Sequence, residues 1–183
     1  DEGIRKKLDS ISVEREKIYL RLAETHADGY PTALADKLFS QLVYEKSNGR
    51  IEIEVFAGRI LGEDFDVIKQ VQTGDIDFAR TWNISLEEII PDLRVHCLPY
   101  IYKSRDHMWK VLESEVGKEI LGSIETSNSG LVGLCWYDNG QRSFYSSSPI
   151  NSMADLASKK IRVQESQLMC DIVVEVGAVP NPM

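Results

Sequence analysis

Two arginines, Arg142 and Arg162, are the residues of this sequence whose type and surroundings best suit the binding of an anion. Arg162 lies in a predicted strand, where it shares one side with Gln164 while Ile161 and Val163 face the other. The planar guanidinium group of an arginine can hold a carboxylate through two parallel hydrogen bonds, which the ammonium group of a lysine cannot do. Arg162 therefore either forms a salt bridge with an acidic residue of its own chain or clamps the carboxylate of a ligand.

The second arginine, Arg142, follows a predicted turn at Asn139 and Gly140 and is either a solvated turn residue or a second ligand contact. Together the two arginines suggest an anionic small molecule as the ligand. The chain itself is acidic, with 29 Asp and Glu against 21 Lys and Arg and a net charge of −8, but local charge decides such binding. Because an acidic chain without a basic run cannot release the counterions of a phosphate backbone, we expect no nucleic-acid partner.

Aromatic and polar residues that follow two predicted strands extend the candidate site. His26 follows the first predicted strand, and Trp82 and Asn83 follow the third. In open α/β sheets, ligands bind outside the carboxyl ends of the strands, so these two loops are expected to lie side by side. Trp82 is either a core aromatic or an indole that packs on the apolar face of a sugar. His26 is either a polar contact to the ligand or a structural residue.

No catalytic or metal-binding motif accompanies these residues. The three histidines lack the spacing of metal ligands, and no nucleophile and base can be paired. The three cysteines form no C-x-x-C pair, which indicates neither a zinc site nor a disulfide framework, although a single disulfide stays open. Cys135 lies in an apolar run and is predicted to be buried. We expect no catalytic residue, no metal and no cofactor.

The elements that must position these residues alternate between strand and helix in the first half of the chain. Alternating apolar residues predict three strands, at residues 17–24, 50–56 and 75–80. Helical periodicity predicts one helix from Pro31, with Leu34, Leu38 and Leu42 in its buried stripe, and a second over about residues 63–73. Strands and helices in this order build a parallel sheet through right-handed crossovers, so the predicted fold class is α/β.

The second half of the chain begins with two predicted helices over about residues 104–128 and an apolar strand at residues 130–137. The turn at Asn139 and Gly140 either closes a hairpin or marks a crossing between two lobes, and we place a boundary there. The strand that carries Arg162 and one further helix follow. One strand and one helix cannot make a core of their own, so this last part is expected to be incomplete.

The predicted organisation therefore has three parts. They are a tail at residues 1–16, a first α/β lobe at residues 17–139, and the start of a second α/β lobe at residues 140–183. The second lobe is expected to be cut off before its core is complete.

Four stretches of the sequence, taken in order, carry a resemblance to one family of transport proteins. The stretches are KSNGRIEIEVFAGRILGEDFDVIKQVQTGDIDFART, LPYIY with SRDHMWKVLES behind it, WYDNGQRSFYSSSPINSMADLASKKIRVQES, and GAVPNPM. They resemble the extracytoplasmic solute-binding subunit of tripartite ATP-independent periplasmic (TRAP) transporters, the DctP family. The resemblance runs from about Ile18 to Met183, and ordered coverage of this kind is far more specific than any single motif.

The resemblance implies a two-lobed fold, like that of periplasmic binding proteins, that closes over an organic acid and is here truncated within the second lobe. The carboxylate-clamping arginine of the family falls on Arg162, and its second ligand arginine falls on Arg142. Residues 79–83 and 137–145 are most similar to members that bind hexuronates such as glucuronate and galacturonate. Those members usually have a histidine where this chain has Tyr30. The expected ligand residues are Arg162, Arg142, Trp82, Asn83, Gln164, His26 and Tyr30.

The function implied by the resemblance is capture of a sugar acid and its delivery to the membrane permease subunits of a TRAP transporter, without catalysis. Such a protein is periplasmic or extracytoplasmic after removal of a signal peptide, and it meets the membrane only through the permease or a lipid anchor. Two alternatives stay open. One is an α/β enzyme that acts on a sugar acid with His26 or His96 as general base, and the other is a sensing domain that uses the same arginine clamp.

Overall fold

The computed structural model describes residues 16–183, so the predicted tail at residues 1–16 lies outside the described residues except for Glu16. The chain divides into two compact units, Asp1–Arg80 and Thr81–Met183. This division differs from the lobe boundary predicted at residues 139 and 140, which stays a prediction. None of the helices within residues 16–183 combines the length and the apolar character that a membrane crossing requires.

The first unit is a parallel sheet of three strands connected by two helices. Its elements are β1 (Ile18–Glu24), α1 (Pro31–Lys46), β2 (Ile51–Phe56), α2 (Asp64–Thr73) and β3 (Phe78–Arg80). β1 lies in the centre, and β2 and β3 both pair with it in parallel. Ala23 of β1, Val67 of α2 and Ile76 form a buried cluster between sheet and helix. The three predicted strands, the two helices and the α/β class are confirmed.

The leucine stripe predicted for α1 does not face the sheet. Leu34 and Leu38 are each 54% exposed, whereas Ala33 is fully buried. The hydroxyl group of Ser40 donates to the carbonyl oxygen of Ile53 in β2 at 2.5 Å. The buried residues of α1 are Thr32, Ala33 and Asp36, so the buried face is a mixed one with polar side chains. The pattern therefore predicts the helix correctly and its buried face wrongly.

The turn from α2 into β3 brings Arg80 to the carboxyl end of the sheet. Gly74 ends α2 with a φ of 77°, a left-handed conformation that glycine adopts without the steric cost other residues meet. The chain then enters β3, where Arg80 is the register partner of Glu24 at the end of β1. The last residues of β1 and β3 therefore lie next to each other.

The second unit begins with helical elements. They are α3 (Asn83–Leu86), a 3₁₀ helix (Pro91–Cys97), α4 (Arg105–Leu112) and α5 (Glu115–Thr126). The two helices α4 and α5 confirm the patterns predicted over residues 104–128. The prediction did not include α3 or the 3₁₀ helix, because elements this short show no clear periodicity.

The apolar strand predicted at residues 130–137 is wrong. These residues have no regular secondary structure, and no strand among residues 16–183 pairs with them. The hairpin reading of the turn at Asn139 and Gly140 is wrong for the same reason. An apolar run becomes a strand only where a neighbouring strand takes up its backbone hydrogen bonds. Cys135 in this run is exposed rather than buried, and the three cysteines form no disulfide with one another.

A small β-α-β unit follows near the end of the chain. After a 3₁₀ helix (Met153–Leu156) it consists of β4 (Lys160–Val163), α6 (Gln167–Glu175) and β5 (Val179–Pro182). The strands β4 and β5 pair in parallel. Leu156, Val163, Val173 and Ala178 form a buried cluster of their own, so the prediction that this segment lacks a core is wrong. The strand β5 was missed because prolines interrupt its sequence, VPNP.

Candidate functional site

The first unit places Glu24 and Arg80 side by side at the carboxyl ends of β1 and β3, and both residues are buried. Nε of Arg80 donates to Oε1 and Oε2 of Glu24 at 3.0 and 2.9 Å, and Nη2 of Arg80 donates to Oε1 as well. The same Nη2 atom donates to Oγ1 of Thr25 at 3.0 Å. The end of β3 therefore meets the loop after β1 at Arg80, while the expectation that Trp82 and Asn83 lie beside His26 stays a prediction.

Burial and hydrogen bonding act in opposite directions on Glu24. Burial has the largest effect and raises the pKa of this carboxyl group. Hydrogen bonds from the Arg80 side chain, the His26 backbone and the Thr32 hydroxyl together outweigh it, so the pKa of Glu24 lies below its ordinary value of 4.5. Glu24 is therefore ionised at neutral pH and forms a fixed, buried ion pair with Arg80.

His26 is oriented by this ion pair. Its backbone N–H donates to Oε1 of Glu24 at 2.7 Å, and its ring Nδ1 lies 2.9 Å from Oγ1 of Thr32 and 2.7 Å from Nη2 of Arg80. Because a guanidinium group only donates, Nδ1 must accept from Arg80, and the neutral ring carries its proton on Nε2. Burial and then the positive charge of Arg80 lower the pKa of His26, so the ring is neutral at pH 7. The ring of Tyr30 stacks on it, with centroids 4.2 Å apart.

The second unit brings Trp82 and Arg142, two other predicted site residues, close to each other. Trp82 and Asn83 lie at the start of α3, where both are partly buried. Cζ of Arg142 lies 6.0 Å from the centroid of the Trp82 ring, at the limit of a cation–π interaction. Trp82 is thus an aromatic platform beside a candidate ligand arginine, rather than a fully buried core residue.

The positive charge of Arg162 acts on Arg142. Partial loss of solvent lowers the pKa of Arg142, and the positive charge of Arg162 lowers it further, whereas Cys97 acts in the opposite direction. Burial raises the pKa of Cys97 to about 11, so its thiol is neutral at pH 7. Within residues 16–183, neither guanidinium group forms a salt bridge with a carboxylate. Two neighbouring arginines without a salt bridge to a carboxylate in this part of the chain are suited to an anionic partner.

Arg162 lies on the exposed side of β4, while Ile161 and Val163 pack into the core, as the alternation predicts. Its Nη2 donates to the carbonyl oxygen of Met183 at 3.4 Å. Gln164 follows the strand, and its buried Oε1 has no hydrogen-bond partner in the described part of the chain. A buried amide oxygen without a donor costs free energy, which a ligand hydroxyl could recover. The alternative of a structural salt bridge at Arg162 gains no support here.

The described residues do not favour the alternative of an enzyme. Oε1 of Glu24 lies 3.3 Å from Nδ1 of His26, but both atoms already receive donors from Arg80. Glu24 therefore cannot orient His26 as the acid partner of a general base. The ring Nδ1 of His96 is hydrogen-bonded to the hydroxyl group of Tyr102 instead of a carboxylate. No group of His, Cys, Asp and Glu side chains within residues 16–183 is arranged to hold a metal ion.

Sequence reasoning missed the pairing of Glu24 with Arg80. Each residue is the last of an apolar parallel strand, where a buried side chain is expected. A charged residue in such a position needs an opposite charge nearby, so the two strand ends could have been matched. The hydroxyl groups of Thr25 and Thr32 gave no such signal, because their contacts depend on the loop conformation.

An arginine pair that lacks a carboxylate partner among residues 16–183 is suited to binding a small anionic solute. The chain belongs to the DctP family, described as bacterial extracellular solute-binding protein, family 7, whose family model matches residues 22–183. The family inferred from the sequence is thereby confirmed.

Solved structures and curated relatives agree with this assignment. A TRAP periplasmic solute-binding protein from Pseudomonas putida with bound D-glucuronate has a TM-score of 0.87 and 36% identity, over 91% of this chain and 54% of that one. Its counterpart from Xanthobacter autotrophicus with bound β-D-galacturonate has a TM-score of 0.85 and 38% identity, over 90% and 54%. A solute-binding protein from Chromohalobacter salexigens is 32% identical over 86% of this chain and 47% of its own length. The chain spans about half the length of the relatives it matches.

Proposed function

We propose that the full-length protein is the extracytoplasmic solute-binding subunit of a TRAP transporter and that its ligand is a hexuronate, glucuronate or galacturonate. The observation that carries the proposal is the neighbouring pair Arg142 and Arg162, for which residues 16–183 provide no salt-bridge partner. A uronate supplies one carboxylate for this pair and a ring with hydroxyl groups for the residues around it. Similar structures with bound D-glucuronate and β-D-galacturonate support the choice of ligand.

In the proposed complex, Arg162 holds the carboxylate through two hydrogen bonds, and Arg142 adds positive charge from the side of Trp82. The Trp82 ring packs against the sugar, and the open Oε1 of Gln164 accepts a hydrogen bond from a hydroxyl group. Asn83 offers both a donor and an acceptor. An ion pair at about 4 Å contributes roughly 4 kcal/mol at an effective dielectric constant of about 20, before desolvation is subtracted. The hydroxyl contacts must therefore decide between one sugar acid and another.

His26 and Tyr30 are the contribution that we propose for the first unit. The Arg80 contact fixes the tautomer of neutral His26, which leaves its proton on Nε2 for donation to an uncharged acceptor such as a hydroxyl oxygen. The stacked ring of Tyr30 restricts how His26 can turn. Glu24 and Arg80 act in this proposal by holding His26, since their own charges are already paired.

The ligand would act as the signal for transport. A solute that contacts both lobes only in the closed form shifts the equilibrium toward that form. The membrane permease subunits would then recognise the closed form and receive the solute. We propose a periplasmic or extracytoplasmic location after removal of a signal peptide, with a lipid anchor or the permease as the link to the membrane, and no catalytic step.

The proposed ligand class can be tested by thermal and calorimetric screening of the full-length protein. Glucuronate or galacturonate at about 100 times its dissociation constant is expected to add roughly 2.7 kcal/mol to the free energy of unfolding. Glucose and galactose are matched controls, because they keep the ring and lack the carboxylate, and they are expected to add nothing measurable. Stabilisation by dicarboxylates or 2-oxo acids alone would show that the uronate assignment is wrong.

A further inference from the structure

Asp138 is a buried carboxylate that has no part in the ligand contacts proposed above. Its side chain is 9% exposed and accepts hydrogen bonds through both oxygens. The backbone N–H of Gly140 donates to Oδ1 at 2.8 Å, and Nε of Arg105 donates to Oδ2 at 2.5 Å. Arg105 is the first residue of α4 and is itself exposed. The ion pair therefore fastens the turn after Asp138 to the start of that helix.

These contacts shape the turn at Asn139 and Gly140. An aspartate that accepts from the backbone N–H two residues further on closes an Asx turn. Gly140 has a φ of 84°, a left-handed conformation that favours glycine. The hydrogen bonds from Arg105 and Gly140 have the largest effects on Asp138 and hold its pKa below the ordinary value of 3.8. Asp138 is therefore ionised at neutral pH and stays an acceptor for both donors.

Arg142 lies two residues beyond this turn, in a segment with few other attachments. Residues 138–150 contain no helix or strand, and no backbone-to-backbone hydrogen bond in the described part of the chain involves them. Apart from the bonds at Asp138, their hydrogen bonds within that part are at Ser146 and Ser148, both beyond Arg142. The contacts of Asp138 therefore fix the direction in which the chain approaches Arg142.

We propose that Asp138 is a positioning residue that holds Arg142 in place for the carboxylate of the ligand. The inference rests on the proposed function and names a residue that this function needs but that does not touch the solute. The turn that Asp138 closes and ties to α4 brings the guanidinium group of Arg142 to the side of Trp82, where Cζ lies 6.0 Å from the ring centroid. Without this anchor the arginine samples more positions, and the ligand must restrict them at a cost in affinity.

A double-mutant cycle in the full-length protein tests the coupling between Asp138 and Arg142. Asp138→Ala is expected to weaken binding of the uronate that the wild type binds by about tenfold, and Arg142→Ala by at least as much. The double variant is expected to bind as weakly as Arg142→Ala alone, because Asp138 then has no arginine to position. Isothermal titration calorimetry measures the four affinities.

The same substitution in a second background separates positioning from a general loss of structure. Asp138→Ala added to Arg162→Lys is expected to lower the affinity by its full factor, because Arg162 lies on β4 and is held by different contacts. A role in stability alone would lower the affinity by the same factor in both arginine backgrounds. Coupling to Arg142 and not to Arg162 is therefore the result that the positioning role requires.

Arg105→Ala keeps the inference testable should Asp138→Ala fail to fold. It removes the tie to α4 and leaves the Asx turn, and the fold is expected to stay intact because the Arg105 side chain is 72% exposed. We expect a smaller loss of affinity than for Asp138→Ala, and no further loss when Arg105→Ala is added to Arg142→Ala. Lys110→Ala is its matched control, since Lys110 is another exposed basic residue of α4, and it is expected to bind as the wild type does.

Asp155→Ala is the matched control for the aspartate. Asp155 also accepts from two backbone N–H groups, those of Asn151 and Ser152 at 2.9 and 2.8 Å, but it lies in the second 3₁₀ helix. Its removal is expected to leave the affinity for the uronate at the wild-type value.

The outcomes separate the positioning role from the proposed function. Wild-type affinity in Asp138→Ala or, should that variant not fold, in Arg105→Ala would overturn the positioning role. Equal losses of affinity with and without Arg142 would also overturn it and leave Asp138 a stabilising residue of the turn only. A wild-type protein that binds no hexuronate would overturn the proposed function, and the positioning role with it.

Discussion

Replacing Arg162 by alanine in the full-length protein is expected to weaken hexuronate binding by about a hundredfold or more. In the proposed complex, the substitution would leave the ligand carboxylate without its bidentate partner, and an unpaired charge shielded from water is costly. The fold is expected to stay intact, because Arg162 is exposed and its one described hydrogen bond is long, 3.4 Å to the carbonyl oxygen of Met183. Isothermal titration calorimetry with glucuronate and galacturonate measures the effect.

The comparison with Arg162→Lys and Lys160→Ala makes this test specific. A lysine keeps the charge but loses the planar fork, so we expect Arg162→Lys to bind more weakly than the wild type and more tightly than Arg162→Ala. Lys160 is exposed on the same side of β4 at the other end of the strand, and Lys160→Ala is expected to bind as the wild type does. An Arg162→Ala variant with wild-type affinity would remove Arg162 from the site and, with it, the main support for the carboxylate clamp.

The position of Arg162 could be predicted from the sequence because it depends on local periodicity. Alternation along β4 places Ile161 and Val163 in the core and Arg162 on the opposite side, and the structure has this arrangement. The same local rule gave β1, β2 and β3 and the parallel order of the first unit. Whether Arg162 had an acidic partner could not be predicted, since that depends on residues distant in the sequence.

The face that α1 buries illustrates the limit of periodicity. A stripe of leucines indicates a helix, but the face that is buried carries Thr32, Ala33 and Asp36, and which face the tertiary contacts cover is not set by the period of the helix itself. The availability of a neighbouring strand sets a second limit on what the sequence pattern can predict. The apolar run at residues 130–137 lacks a neighbouring strand in the described chain, whereas β5, with its two prolines, has one in β4. Neither the lack of a strand at residues 130–137 nor the presence of β5 could be predicted from the residues of that segment alone.

The buried pair of Glu24 and Arg80 leads to the second large effect that we expect, on stability rather than on binding. Glu24→Gln removes the negative charge and leaves the Arg80 guanidinium group buried without a counter-charge. Loss of one partner of a buried ion pair typically costs 3–5 kcal/mol, and the amide oxygen that remains can still accept a hydrogen bond. We therefore expect the free energy of unfolding of the full-length protein to fall by about 3 kcal/mol at pH 7, measured by urea denaturation.

The pH dependence of this effect follows from the lowered pKa of Glu24. A carboxyl group whose pKa is lower in the folded than in the unfolded state stabilises the fold above its unfolded pKa, here near 4.5. That contribution is lost as the pH falls from this value through the lower pKa of the folded state, because Glu24 becomes protonated in both states. The gap in unfolding free energy between the wild type and Glu24→Gln is thus expected to narrow as the pH falls below about 4.5.

Glu54→Gln provides the matched control for this pH series, because it makes the same substitution at an exposed position of the neighbouring strand β2. Its unfolding free energy is expected to stay within about 0.5 kcal/mol of the wild type at pH 7. If Glu24→Gln were as harmless as this control, Arg80 could not depend on Glu24 for its charge balance. His26 would then lack the fixed ion pair that orients its ring, and the part that we propose for His26 in ligand binding would lose its structural basis.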